Sequence, residues 1–231
     1  MPDIMIKGPD GSFAGYLAVP EAASGPGIVL IQEIFGVNKV MRDRADDLAA
    51  AGYTVLCPDL FWRQEPGIQI TDQSEAEWAQ AFELYKGFDE AKGVDDLAAT
   101  LDHLRNHEAC TGKVGSVGFC LGGKLAYLMA TRTDADCNVG YYGVGIENAL
   151  DEAGNISGPL LLHIAELDGF CPAEAQAQIH AALDGHANVT IHDYAGVDHA
   201  FARPGGDNFD AAAAAAANDR TDAFFAQHLK G

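Results

Sequence analysis

The sequence predicts an α/β fold, a single domain over residues 1–231 with a mostly parallel central sheet and helices on both faces. Three observations carry this. Short apolar runs alternate with segments of helical spacing along the whole chain. No internal repeat, linker or break in composition divides it. A length of 231 residues is enough to bury one full core, and such chains commonly form one domain.

Taken in order, Ile4, Ile6 and the run 13–19 flank Gly8-Pro9-Asp10-Gly11, a turn signal, so the chain opens with a β-hairpin. Residues 27–32 are continuously apolar up to Gln32, as in strands buried on both faces of a parallel sheet. Val40, Met41, Leu48 and Ala49 form a helical stripe that stops at Gly52, and 53–57 is another buried strand, ended by Pro58. Residues 59–73 are turn-rich and long for a connection, which makes them a candidate pocket wall. Trp78, Phe82 and Tyr85 share one face of the next helix; Val94, Leu97, Leu101 and Leu104 form the stripe of another. Strands follow at 113–119, 139–142, 159–165 and 189–194, with helices after 120, around Ala173, Ile179 and Leu183, and over 210–229. The alanine run in the last segment needs only helix propensity to explain it. In such doubly wound sheets ligands bind beyond the carboxyl ends of the strands.

Charge excludes some partners. With 14 basic and 34 acidic residues the net charge is −20, which argues against nucleic acid, whose phosphates need Lys and Arg, and against anionic membrane surfaces. No apolar run reaches membrane-spanning length, and the start lacks the features of a signal peptide, so a cytoplasmic protein is expected. Five cysteines at scattered positions suggest no disulfide framework. His103 and His107 have the spacing of zinc ligands but lack the glutamate of H-E-x-x-H; no metal and no cofactor are expected. A monomer is expected, with an oligomer left open.

Gly118-Phe119-Cys120-Leu121-Gly122 has the form G-x-C-x-G at the junction of a strand and a helix. The related G-x-S-x-G pattern is a nucleophile elbow, a sharp turn that exposes the nucleophile above the sheet. A helix starting there points free N–H groups and its positive dipole end at the sulfur, which favours the thiolate. Read alone, the pentapeptide also fits a tight turn with an inert cysteine. Three more polar residues fall just past strand ends: Glu33, Asp168 and His199. A thiol nucleophile needs a base, which histidine supplies near neutral pH, and the histidine needs a carboxylate to fix its tautomer. The order Cys120, Asp168, His199 is that of the α/β-hydrolases. Asp198 adjoins His199 too closely in the chain to orient its ring, Asp59 reads as a turn residue after Pro58, and Cys171 as a buried loop thiol. Glu33 is either a surface acid or a group that holds or accepts the thiol proton.

Five segments, Gln32-Glu33-Ile34-Phe35-Gly36-Val37-Asn38, Cys57-Pro58-Asp59-Leu60, Gly118 to Gly123, Gly140-Tyr141-Tyr142-Gly143 and His199-Ala200-Phe201-Ala202-Arg203, together resemble the dienelactone hydrolase (carboxymethylenebutenolidase) family over nearly the whole chain. The resemblance implies an α/β-hydrolase fold and a triad of Cys120, His199 and Asp168. It implies that Glu33 engages the resting thiol and that the N–H groups of Leu121 and Ile34 form the oxyanion hole. It implies attack on a strained enol-lactone, an acyl-thioester, and release of maleylacetate, in the breakdown of chlorinated aromatics. An acyltransferase using the same triad, or a binding domain that keeps the pocket without turnover, are the other readings. The family holds its substrate carboxylate with two arginines. Arg203 matches one; Trp78 occupies the place of the other. Trp78, Phe82, Tyr85 and Tyr141 are therefore candidate substrate-wall residues, although an aromatic stripe at helical spacing also fits a helix packed on the sheet. The expected substrate is a small ester or lactone, with a carboxylate-bearing one included.

Overall fold

The computed structural model describes residues 3–231. Among these the strands number eight, and they form one sheet in the order β1-β2-β4-β3-β5-β6-β7-β8, numbered along the chain. Its contacts divide the chain into two compact units, one ending at Gly115 and the other running from Ser116 to Gly231.

In the first unit, β1 (Asp3–Lys7) and β2 (Ser12–Ala18) form the antiparallel hairpin, closed by a bond from Gly8 N to Gly11 O of 2.8 Å. After β3 (Gly25–Ile31), Asn38 caps α1 (Lys39–Ala50): its Oδ1 accepts from Met41 N and its Nδ2 donates to Ile70 O. β4 (Thr54–Pro58) pairs antiparallel with β2 and parallel with β3. Helix α2 (Glu75–Lys86) is capped by Ser74, whose Oγ accepts from Glu77 N and donates to the Glu77 carboxylate, which also accepts from Thr71 N. Helix α3 (Glu90–Arg105) buries Val94, Leu97, Leu101 and Leu104, the stripe its spacing predicts; each such side chain stabilises by about 1.5–3 kcal/mol relative to exposure.

The connection 59–73 is irregular but held. Asp59 accepts from Phe61 N at 3.0 Å and Gly67 N at 2.7 Å, the turn role its sequence suggests. The fully buried Asp96 of α3 accepts from Trp62 Nε1 and pairs with the Arg63 guanidinium. Gln64 Nε2 donates to Leu84 O.

Strand β5 (Cys110–Phe119) runs into the second unit, where β6 (Asn138–Tyr141), β7 (Leu160–Ala165) and β8 (Val189–Tyr194) continue it in parallel. The connections are α4 (Leu121–Arg132), a 3-10 segment Ile146–Asn155 kinked at Ala149, and α5 (Ala173–Leu183); α6 (Ala211–Leu229), capped by Asp210, ends the chain. Strands β6 and β7 are wholly buried, whereas β8, at the edge, is half-exposed. No helix among the described residues is long and apolar enough to cross a membrane.

A buried polar network crosses this unit. His163 Nδ1 meets Tyr194 Oη at 2.8 Å and Nε2 meets Thr221 Oγ1 at 3.0 Å; Tyr141 Oη meets Thr221 at 2.7 Å and Asn218 Oδ1 at 3.1 Å. Burial, then the charges of His192 and Arg220, push the His163 pKa down to about 3. Its unfolded value is about 6.5. Between those values the unfolded chain binds a proton that the native state refuses, so stability is present above pH ~6.5 and falls as pH falls toward 3, by roughly 1.4 kcal/mol per pH unit. Urea unfolding at pH 7, 6 and 5 should show a steeper loss for the wild type than for His163→Asn.

Candidate functional site

β5 delivers the chain to Cys120, which stands at φ 57° and ψ −116°, a left-handed conformation uncommon for a residue with a side chain. Two glycines make the turn fit. A Cβ on Gly118 would lie 1.9 Å from Gly122 O, and one on Gly123 2.4 Å from Tyr141 O. Cys120 N donates to Tyr141 O at 3.1 Å, and its own carbonyl accepts from Gly123 N at 2.9 Å. Leu121 is the first residue of α4, so its N–H has no acceptor within the helix. The strained cysteine, the glycine contacts and the helix start together make an elbow.

Asp168 and His199 follow β7 and β8. Asp168 is 2% exposed: Oδ1 accepts from Phe170 N at 2.8 Å and Cys171 N at 3.2 Å, leaving Oδ2 to meet His199 Nδ1 at 2.9 Å. His199, 5% exposed, also hydrogen-bonds Cys120. Burial opposes its cation, but the charge of the Cys120 sulfur and the Asp168 carboxylate outweigh it, and the His199 pKa is pushed up to about 10. Tyr142 and Phe170 present ring edges to the imidazole, with centroids 5.1 and 4.9 Å away. The structure thus brings Cys120, His199 and Asp168 together. A relay from sulfur through imidazole to carboxylate can move one proton to and fro while a carbonyl carbon is attacked.

The other predicted residues divide. Arg203, 7% exposed, lies four residues past His199, its N–H donating to Ala200 O at 2.9 Å. In the first unit, Glu33 and Ile34 follow β3 and are buried, at 3% and 6% exposure. Trp78 is half-buried, with Nε1 donating to Asp72 O at 2.9 Å, its ring edge-on to Phe35 and stacked on Phe82. Phe82 and Tyr85 are exposed, and the residues α2 buries are Ala81 and Leu84, so the aromatic stripe is not the helix's core face. Tyr141 is a correction. It is 1% exposed, its hydroxyl is held by Asn218 and Thr221, and its ring lies against Phe119 and His163. Side chains alternate along a strand, and Tyr142, not Tyr141, is the tyrosine against His199.

The rejected candidates have other work. Asp198 Oδ1 accepts from His199 N at 2.6 Å and Gly169 N at 3.3 Å rather than touching the ring. Cys171 is buried, and burial followed by the Asp168 charge pushes its thiol up to about 12. The rings of His103 and His107 lie 6.4 Å apart, and no group of three or more metal-ligating side chains occurs among the described residues. The sequence reading missed Tyr142 and Phe170 as neighbours of His199. Tyr142 was signalled by its motif, and Phe170 by standing two residues after Asp168.

The geometry can be set beside known proteins. The model of the dienelactone hydrolase family matches residues 13–229. The chain is 40% identical over 224 residues to carboxymethylenebutenolidase of Pseudomonas putida, covering 96% of this chain and 95% of that one. It is 39% identical over 211 residues to carboxymethylenebutenolidase 1 of Cupriavidus pinatubonensis, covering 91% and 90%. The crystal structure of dienelactone hydrolase from Anabaena variabilis superposes with a TM-score of 0.72 at 19% identity, over 99% of this chain and 97% of that one, and shares the α/β-hydrolase fold. With the match running from β2 to the end of α6, this chain is a hydrolase and belongs to the dienelactone hydrolase family.

Proposed function

We propose that this chain, acting as one domain, hydrolyses small lactones or activated esters through a thioester on Cys120. The observation that carries the reading is the buried Asp168–His199–Cys120 chain of contacts. His199 takes the thiol proton and the sulfur attacks the acyl carbon. The C–O bond then breaks and His199 protonates the departing enol oxygen, which in a lactone stays tethered to the acyl group. Water next attacks the thioester, giving its proton to His199 and releasing the carboxylic acid; the sulfur leaves as thiolate and is reprotonated. Asp168 orients the imidazole and stabilises its cation. The Leu121 and Ile34 N–H groups stabilise the oxyanion, one such donor being worth about 2.7–4 kcal/mol in a serine hydrolase. Glu33 holds the resting thiol proton.

Arg203 anchors a substrate carboxylate, and Trp78 supplies an apolar wall where a second arginine would give a bidentate pair. The indole N–H, already given to Asp72 O, supports a weaker clamp. Hydrolysis of dienelactone and of an uncharged lactone tests this. The wild type should open both, and Trp78→Arg should raise kcat/KM for dienelactone about tenfold relative to the uncharged lactone, the ~1.4 kcal/mol of one charge-assisted contact. Failure of the wild type to open either lactone or any activated ester overturns the reading.

A further inference from the structure

The loops that carry Asp168 and His199 are joined to each other by more than that pair. Beyond the last ladder partners, Ala165 and Tyr194, the chain leaves β7 and β8, yet pairing continues. Glu166 N donates to Tyr194 O at 3.0 Å, and Leu167 N to Val197 O at 2.9 Å. Two carboxylates then cross over. Glu166, on the acid's loop, accepts through Oε2 from Gly196 N of the histidine's loop at 2.7 Å. Asp198, on the histidine's loop, accepts through Oδ1 from Gly169 N of the acid's loop at 3.3 Å, and from His199 N at 2.6 Å. Gly196 is at φ 72°, a conformation that suits glycine and turns its N–H to Glu166.

We infer that Glu166 and Asp198 are positioning residues: their reciprocal carboxylate-to-backbone bonds clasp the two loops and set the distance between Asp168 and His199. The inference rests on the triad reading above. Both residues act through others, since neither touches the imidazole ring or the sulfur. Asp198 is placed best, because one oxygen gathers the backbone of His199 itself and the residue after Asp168. Without it, the two loops keep their backbone bonds near β7 and β8 but lose the tie nearest the Asp168–His199 contact. Misplacement of catalytic groups by about 1 Å costs on the order of a hundredfold in rate. The bonds need an acceptor oxygen and not a charge, so asparagine should serve where alanine does not.

The test uses the full chain with p-nitrophenyl acetate and follows the pre-steady-state burst. The acylation rate constant under excess substrate is independent of the fraction of protein that folds. Asp198→Ala should lower it about ten- to hundredfold, with KM changed less than about twofold because no substrate contact is removed. Asp198→Asn should stay within about threefold of the wild type. Glu166→Ala should act in the same direction, and the double alanine variant should lose less than the product of the single losses, since both ties hold one clasp. An unchanged acylation constant in Asp198→Ala and Glu166→Ala, or an Asp198→Asn variant as slow as Asp198→Ala, overturns the inference. Cys120→Ala run in parallel separates the two levels: an active Cys120→Ala removes the triad reading itself, whereas an inactive one beside a normal Asp198→Ala removes only the clasp.

Discussion

Cys120→Ala is expected to lose at least about 10⁴-fold in kcat on any ester or lactone the wild type hydrolyses, by analogy with removal of the nucleophile in a serine hydrolase. The substitution deletes one sulfur from a side chain 7% exposed and leaves the elbow's backbone otherwise unchanged. Its stability cost should be about 1 kcal/mol, a melting shift of roughly 2–4 °C for a chain of this size. Activity and stability therefore separate, which a folding defect would not allow. Quenched reactions of the wild type should carry the acyl mass on the peptide containing Cys120, and the variant should carry none. An added thiol that takes up the acyl group faster than water does would redirect the reading to acyl transfer. Retained turnover in Cys120→Ala would end the assignment of the nucleophile.

Asp168→Asn should cost about 10³- to 10⁴-fold, as loss of the orienting carboxylate does in the Ser-His-Asp enzymes. The reason lies in the distribution of its bonds. Oδ1 is occupied by Phe170 N and Cys171 N, so an amide placed there must keep its oxygen on those donors and turn its NH₂ toward His199 Nδ1. That forces the imidazole into the tautomer in which Nδ1 accepts and Nε2 carries the proton, the wrong state for a base. The variant also loses one of the two anions that hold the His199 cation against burial. Once His199 has taken the thiol proton, the charged sulfur and Asp168 push its pKa up to about 10, so its power to protonate the leaving oxygen should be lost in an alkaline limb near that value. The limb of Asp168→Asn should lie at lower pH. A pH–rate profile of both proteins checks the direction.

The fold was legible where strands are buried on both faces, as in β3, β4, β6 and β7, and where a helix buries one stripe, as in α3. Continuous apolar runs gave β3, β4 and β7, and period 3.6 gave α3, whose four-residue stripe is buried in full. The segment Ile146–Asn155 was not legible, since the kink at Ala149 splits it into two short 3-10 pieces, each too short to sustain a period. At the site, the position of Cys120, Asp168 and His199 just past strand ends was written in the chain, and the structure brings them into contact. The choice between Tyr141 and Tyr142 was not. It depends on which side of the pleat each falls, and on Thr221 and Asn218 arriving from α6 about eighty residues later to take the Tyr141 hydroxyl. The aromatic stripe of α2 was open to two readings, substrate wall or core face, because spacing cannot distinguish apolar groups facing the interior from apolar groups left outside; burial of Ala81 and Leu84 instead rules out the core face.

The crossed carboxylates beyond β7 and β8 bear on how this sequence can change in length. Four residues separate Tyr194 from His199 and two separate Ala165 from Asp168, and Glu166, Leu167, Gly196, Val197 and Asp198 each take part in a hydrogen bond to the opposite stretch. One inserted residue in either stretch would shift every later partner, so both are closed to insertion even where side chains are exposed. At the other end of β8, a Cβ on Gly185 would meet nothing. Growth of the chain belongs there, where extra residues leave the bonds between the two loops untouched.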